Sequence, residues 1–326
     1  MFNVQPIFKW AGGKRKLAPL LADIVKEEAS ECKTYIEPFF GGGAVYFELY
    51  NNKLFEEAYI NDIIPQLVSF YKTISHNQNI QDIYEGICRL LEEFNTYENK
   101  ESRKKFFGTV RDEFNSLWVS EQTKEKLQNK IVLEKEEAIS SAVLLYVLNR
   151  TCFNGLFRVN KKGMFNVPLG SYSKVPTPSL TEMHNFSAAL KNTNIFCGDY
   201  TALIEKSINT KNSFTYLDPP YVANSKTSNF TSYSKESFKN TDSEDLEHVR
   251  LSENFDKLIN AGVKAILSNH NNPKVYKIFI SGKKNIFVYK INLTKTIGRV
   301  GGSKNTSEEL LISTFEIKRL KELRVL

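Results

Sequence analysis

Between positions 212 and 222 the chain reads Asn-Ser-Phe-Thr-Tyr-Leu-Asp-Pro-Pro-Tyr-Val, and no other stretch narrows the choice of fold so much. Phe214, Tyr216 and Leu217 form a short aromatic and apolar run of the kind that makes a buried strand. Pro219 and Pro220 stop it at once. Neither donates a backbone hydrogen bond, each holds φ near about −65°, and each pushes the residue before it toward extended geometry. The strand ends with the Asp218 carboxylate at its tip, on a stiff, carbonyl-rich loop. In open α/β sheets, ligands bind beyond the carboxyl ends of the strands. Asp-Pro chemistry also ends strands that bind nothing, so the loop by itself leaves both readings open.

Three more apolar runs end in the same way. Tyr35-Ile36 leads into Glu37-Pro38-Phe39-Phe40-Gly41-Gly42-Gly43, after which Ala44, Val45, Phe47 and Leu49 carry helical spacing. A strand, a glycine turn and a helix start aim backbone amides at a ligand. A dinucleotide fingerprint requires Gly-x-Gly-x-x-Gly, and Tyr46 breaks it, which disfavours a nicotinamide oxidoreductase. Tyr59-Ile60-Asn61-Asp62 places a carboxylate where such folds grip a ribose, although Asp62 would serve equally as a cap for a helix near Pro65. Ile195-Phe196-Cys197-Gly198-Asp199-Tyr200 repeats the pattern, with the same ambiguity for Asp199 before a helix near Leu203. At the start, Lys9-Trp10-Ala11-Gly12-Gly13-Lys14 is a Gly-Gly turn before the amphipathic series Leu17, Leu20, Leu21, Ile24, Val25. It lacks the spacing of a nucleoside-triphosphate loop.

Positions 67–148 change character, to long charged stretches with apolar residues at helical spacing, such as Ile87, Leu90, Leu91 and Phe94. They read as a helical insertion. Its basic runs, Arg103-Lys104-Lys105 and positions 124–130, are either phosphate contacts or solvated helix faces. Positions 152–168 read as a β-hairpin turning at Asn160-Lys161-Lys162-Gly163, with Arg158, Lys161 and Lys162 on a protruding loop. A two-stranded ribbon of this kind fits the major groove of DNA, where arginine pairs with guanine and asparagine with adenine. Positions 224–240 are polar, with Phe230, Tyr233 and Phe238 interspersed, and are expected to close over a bound base or DNA backbone. Positions 286–293 and 309–315 read as a closing antiparallel pair.

The net charge of +7 and pI near 9.0 favour a polyanionic partner. The four cysteines, Cys32, Cys88, Cys152 and Cys197, share no Cys-x-x-Cys spacing, which argues against a zinc site and for reduced thiols. No apolar run approaches the roughly 20 residues of a membrane span, so a soluble intracellular protein without membrane contact is expected.

Taken in order, the 9–14, 37–43, 59–62, 197–200 and 218–221 motifs resemble those of the adenine-specific DNA methyltransferases of the Dam family, across about positions 7–312. The resemblance implies an α/β fold: a Rossmann-like S-adenosylmethionine-dependent methyltransferase domain with an inserted helical DNA-recognition subdomain. Positions 1–66 and 186–326 would form the catalytic domain and 67–185 the target-recognition subdomain. It further implies S-adenosylmethionine held by Trp10, Lys14, Phe39, Gly41, Gly43, Asp62, Asp199, Tyr200 and Asp218, with catalysis at Asp218, Pro219, Pro220 and Tyr221 and no metal. Asn154, Leu156, Arg158 and Pro168 would touch bases of GATC in double-stranded DNA, with Lys161 and Lys162 beside them. A monomer acting in a prokaryotic or phage-infected cytoplasm is the expectation, in restriction-modification or methylation signalling. Ser171-Tyr172-Ser173-Lys174 departs from the family pattern and leaves the outer base pairs of the site open. Two alternatives stand at this point: methylation of the cytosine N4 amine, where serine more often occupies the position of Asp218, and a DNA-binding protein that keeps the fold without catalysis.

Overall fold

A computed structural model describes residues 3–119, 133–222, 242–294 and 306–326 of the chain. Its centre is a seven-stranded sheet in the order β3-β2-β1-β4-β5-β7-β6. The strands are β1 Thr34–Glu37, β2 Glu57–Asp62, β3 Thr193–Cys197, β4 Ser213–Leu217, β5 Lys264–His270, β6 Phe287–Thr294 and β7 Thr306–Ser313. β1 to β5 pair in parallel, whereas β7 runs antiparallel to both β5 and β6. This is the sheet of a methyltransferase fold, and the closing antiparallel pair expected near positions 286–315 is part of it.

Period-two alternation covers both faces of the sheet. Tyr216, Ile266, Tyr289 and Leu311 enter one apolar cluster, and their chain neighbours Leu217, Leu267, Val288, Leu310 and Ile312 enter the other. Such strands are buried on both sides and need helices on both. Helices α1 Ala18–Glu28, α2 Ala44–Asn51 and α3 Pro65–Ser75 contribute to the first cluster. The second takes Ile204 of α8 Thr201–Ile208 and Leu251, Phe255 and Leu258 of α9 Asp242–Asn260.

The stretch between β2 and β3 is helical, as the apolar spacing predicts: α3, then α4 Ile80–Thr96, α5 Lys100–Val119, α6 Lys135–Thr151 and α7 Leu180–Leu190. Helix α6 is buried on nearly every side because α3, α4 and α5 surround it. Its apolar residues belong to the same cluster as the first face of the sheet, so one core joins the two regions. Phe8 joins them from the N-terminal side, packing at ring distances of 4.5 Å on Phe70 and 6.5 Å on Tyr146. Arg103, Lys104 and Lys105 lie on α5, whereas the basic run 124–130 and the polar stretch 224–240 lie outside the described residues. Among the described residues no helix is long and apolar enough to cross a membrane.

Between positions 152 and 169 the expected ribbon is present in a less regular form. Asn166 N donates to Arg158 O at 3.1 Å and Asn160 N to Met164 O at 2.9 Å, which closes a narrow hairpin. Only isolated bridges, Cys152↔Leu169 and Val159↔Phe165, replace a continuous ladder. Side chains explain this. Asn160 Oδ1 takes the amides of Lys162 and Met164, while Asn115 of α5 pairs with both the N–H and the carbonyl of Phe165 as a surrogate strand. The first arm opens with a 3₁₀ turn, Phe153–Gly155, in which Asn154 sits at φ +56°.

Candidate active site and hairpin

The strand order reverses between β1 and β4, and the carboxyl ends of β1 to β5 share one edge of the sheet. This is the switch point at which α/β sheets bind ligands. Glu37, Asp62, Asp199 and Asp218 all stand at or just beyond strand ends on this edge. β7 runs the other way, so its Glu309 lies opposite His270 at the end of β5, on the same edge.

The glycine turn after β1 admits no side chain. Gly41 and Gly43 have φ +49° and +70°. A Cβ on Gly43 would stand 2.5 Å from Phe40 Cζ, and one on Gly41 2.8 Å from Trp10 Nε1. Trp10 presses on this turn and stacks on Phe157 of the hairpin at 6.1 Å, so its indole bridges the two regions. Asp62 fixes the turn from the next strand: Gly41 N donates to Oδ2 at 2.8 Å and Ile64 N to Oδ1 at 3.0 Å. Burial pushes the Asp62 carboxyl up, and these amides pull it back. Asp62 therefore does not cap the helix at Pro65, whose N-cap is Ile64; it holds the amide just before that helix and braces the glycine turn.

Four residues after Trp10, Lys14 is buried at 6% exposure, which removes the reading of a solvated lysine. Its Nζ lies 3.1 Å from Asp218 Oδ1, donates to Gly12 O at 2.8 Å, and stands 4.4 Å above the Tyr221 ring. Burial pulls the lysine pKa down, but Asp218, Tyr216 and Glu309 outweigh it and push it up to about 12. Asp218 is about one-fifth exposed (21%) and is further held by Ser268 Oγ, which donates to Oδ1 at 3.0 Å. Burial raises the Asp218 carboxyl, and Lys14, Ser268 and Tyr221 oppose the rise. Ser268 Oγ also bonds the Tyr216 hydroxyl at 2.9 Å. Pro219 is buried and Pro220 half-buried, while Val222 N donates to Asn269 Oδ1 at 3.3 Å, so β5 anchors both ends of the loop.

A second aromatic surface lies beyond β3. Tyr200 packs on Phe39 at 5.0 Å, and the Arg250 guanidinium of α9 stands 5.1 Å over its ring. Asp199 Oδ1 accepts from Thr201 N at 2.9 Å, from the Thr201 hydroxyl, and from Arg250 at 2.8 Å. Burial disfavours its charge, yet Thr201 and Arg250 prevail and hold the carboxyl below its usual range. The N-cap of α8 is Tyr200, so Asp199 holds the first amide of the helix from one residue further back, and its carboxylate lies beyond the end of β3.

On the hairpin, Asn154, Arg158, Lys161, Lys162 and Pro168 are exposed and Leu156 is half-buried. Phe157, Phe165 and Val167 turn inward. Arg158 Nε donates to Asn166 Oδ1 at 2.8 Å, which braces it across the ribbon. Several residues in this region escaped sequence reasoning. Asn149, buried at 3%, bonds the N–H and carbonyl of Lys9 and the carbonyl of Gly155, fastening the hairpin base to the Trp10 turn. Phe153 is 49% exposed beside Asn154, where a core residue would be hidden. Glu37, buried at 3% and bonded by Tyr35 Oη at 2.9 Å, has a carboxyl that burial pushes well above the ordinary range. Its place before a glycine turn was a usable signal; the contacts of Asn149 and Ser268 leave none in local sequence.

Comparison with known proteins bears on this site. The family model for D12 class N6 adenine-specific DNA methyltransferases matches residues 10–296. A type II methyltransferase of Methanocaldococcus jannaschii is 37% identical over 272 residues, 83% of this chain and 86% of its own. A type II methyltransferase of Lactococcus lactis subsp. cremoris is 31% identical over 315 residues, 96% of each chain. A DNA adenine methylase of Vibrio cholerae serotype O1 is 28% identical over 311 residues, 95% of this chain and 96% of its own. The matched span runs from Trp10, through the glycine turn and the hairpin, to the Asp218–Tyr221 loop and beyond. With relatives aligned over nearly their full length, this decides for the adenine amine over that of cytosine and for an enzyme over an inactive DNA binder: the chain belongs to the D12 class N6 adenine-specific DNA methyltransferase family.

Proposed function

We propose that this chain transfers the methyl group of S-adenosylmethionine to the N6 amine of adenine within GATC in duplex DNA, after the adenine is swung out of the helix. The observation that carries the reading is the Trp10–Lys14 turn, whose indole lies on the glycine turn while its ammonium lies on Asp218 and Tyr221. One short segment thereby joins a donor-sized cradle to an acceptor for an amine.

The cradle suits the donor. A glycine turn that excludes every Cβ gives close approach to backbone, Asp62 stands at the end of β2 for ribose hydroxyls, and the Phe39–Tyr200 surface with ionised Asp199 suits an adenine ring and its amine. When bound, the sulfonium supplies an electrophilic methyl group; the remaining work falls to the protein.

The Lys14 ammonium makes the two contacts the target base requires, a hydrogen bond to Asp218 Oδ1 and a seat over Tyr221. An adenine entering there displaces Lys14, stacks on Tyr221 and donates its N–H to Asp218. Stacking of this kind contributes about 1–3 kcal/mol per base, against a few kcal/mol to unstack the base from the duplex. The amine is a weak nucleophile because its lone pair is delocalised into the ring. Donation to Asp218 and to a carbonyl of the proline loop localises that pair, and the carboxylate stabilises the positive charge growing on nitrogen. Position and charge suffice, with no covalent intermediate.

Arg158, Asn154 and Pro168 are exposed to read base edges, with the half-buried Leu156 beside them and Lys161 and Lys162 on the phosphates. Phe153, exposed at the hairpin base, is suited to fill the gap left by the extruded base. Residues 67–185 form the target-recognition part in this account, around the catalytic sheet, and the enzyme works as a cytoplasmic monomer. The test is to incubate the protein with plasmid and S-adenosylmethionine, then challenge the DNA with nucleases that distinguish methylated from unmodified GATC. Protection at GATC alone is expected; protection at other sites or at none overturns the specificity.

A further inference from the structure

Tyr221 is gripped from three directions, and only one of them belongs to the family motif. Lys14 lies over its face at 4.4 Å. The His270 ring meets it edge-on, with centroids 4.4 Å apart and planes at 83°. Its hydroxyl donates to Glu309 Oε2 at 3.2 Å. His270 and Glu309 are direct cross-strand partners in the β5–β7 register. Glu309 is buried at 7%, and the three residues that follow it on the strand, Leu310, Leu311 and Ile312, are apolar and fully buried. A carboxylate there is unfavourable unless polar partners hold it, and the tip of Tyr221 is one of them.

We infer that Glu309 is a positioning residue for methyl transfer: through the Tyr221 hydroxyl it fixes the tilt of the ring on which the target adenine stacks. This rests on the function proposed above, in which Tyr221 is the platform. A phenyl ring without that anchor can rock about its side-chain torsions, and a base stacked on it rocks with it. The amine then spends less time aligned with Asp218 Oδ1, which Ser268 holds and which the Tyr221 side chain also touches. A displacement of this kind lowers the rate of transfer and leaves binding of the donor, held at the glycine turn, untouched.

The experiment compares wild type with Glu309→Leu, Glu309→Gln, Tyr221→Phe and the double variant Glu309→Leu/Tyr221→Phe. Single-turnover methyl transfer to a GATC duplex is measured with DNA and S-adenosylmethionine saturating, and donor affinity by calorimetry. Glu309→Leu and Tyr221→Phe are each expected to slow transfer by about tenfold, the scale of a hydrogen bond to a charged group. The double variant is expected to be no more than about twofold slower than the worse single, because both remove one contact. Glu309→Gln, which keeps an acceptor, recovers most of the loss, and donor affinity stays within about twofold throughout. Multiplying losses in the double variant, or a Glu309→Leu enzyme as fast as wild type, overturns the inference while the proposed function stands. Equal weakening of donor binding and transfer in Glu309→Gln also overturns it, since that marks a merely structural residue. A wild-type chain that methylates no adenine removes the function and this inference with it.

Discussion

Replacing Asp218 by asparagine separates what the carboxylate does for the fold from what it does for the reaction. In the folded chain Asp218 Oδ1 takes hydrogen bonds from Lys14 Nζ at 3.1 Å and Ser268 Oγ at 3.0 Å. The rise of the Lys14 pKa from 10.5 to about 12 corresponds to about 2 kcal/mol at about 1.36 kcal/mol per pH unit, with Asp218 the largest favourable contributor. Burial raises the Asp218 carboxyl, so removing its charge loses the attraction to Lys14 but also spares a desolvation cost; the two offset, and a domain stable by about 5–15 kcal/mol remains folded at 25 °C. Asparagine still accepts from Ser268, so the loop keeps its anchor. The effect on chemistry is larger, because removing one preorganised stabiliser of developing charge lowers kcat by about 10²–10³. Single-turnover transfer of labelled methyl to a duplex, beside donor affinity by calorimetry and a urea melt, gives all three numbers. A variant that transfers methyl within threefold of wild type refutes the reasoning, as does one whose rate loss is matched by loss of folded protein.

Three other outcomes follow from the same geometry. Gly43→Ala places a Cβ 2.5 Å from Phe40 Cζ at φ +70°, so it should lose roughly 2–4 kcal/mol in urea melts and bind the donor more weakly by calorimetry. The Lys14 pKa is raised on folding, so its contribution is complete below pH 10.5 and disappears as pH rises through about 12; alkaline urea melts of Lys14→Met should show a shallower fall over that window than wild type, by up to about 2 kcal/mol. Arg158→Ala should lose about 1–3 kcal/mol of discrimination between GATC and its single-base variants, read from transfer rates on each duplex, while turnover on saturating GATC changes less.

The strands were legible because their physics is local. Phe214, Tyr216 and Leu217 before two prolines, and Tyr35-Ile36 before three glycines, announce strand ends without reference to the rest of the chain. The helical insertion was legible from spacing, and β6 and β7 from their apolar runs. Sheet order was not, since nothing local says that β4 lies beside β1 or that Glu309 faces His270. The hairpin was overdrawn as a regular ribbon because the side chains of Asn160 and Asn115 take backbone partners that a ladder would have used. Asp62 and Asp199 each hold a backbone amide at a helix entry without being its N-cap, and both stand along the strand-end edge of the sheet, a combination that local sequence does not show. The Lys14–Asp218 pair, and the Asn149 bonds to Lys9 and Gly155, depend on contacts between distant segments and emerge only from the fold.

The most direct test of the account is to treat a duplex holding a single GATC with the protein and S-adenosylmethionine carrying an isotopically labelled methyl group, then to identify the modified nucleoside by mass spectrometry. The account predicts the label on N6 of deoxyadenosine from that site alone, accumulating about 10²–10³ times more slowly with Asp218→Asn than with wild type. Label on cytosine, label on adenine outside GATC, or an equal rate from the Asp218→Asn enzyme would contradict it.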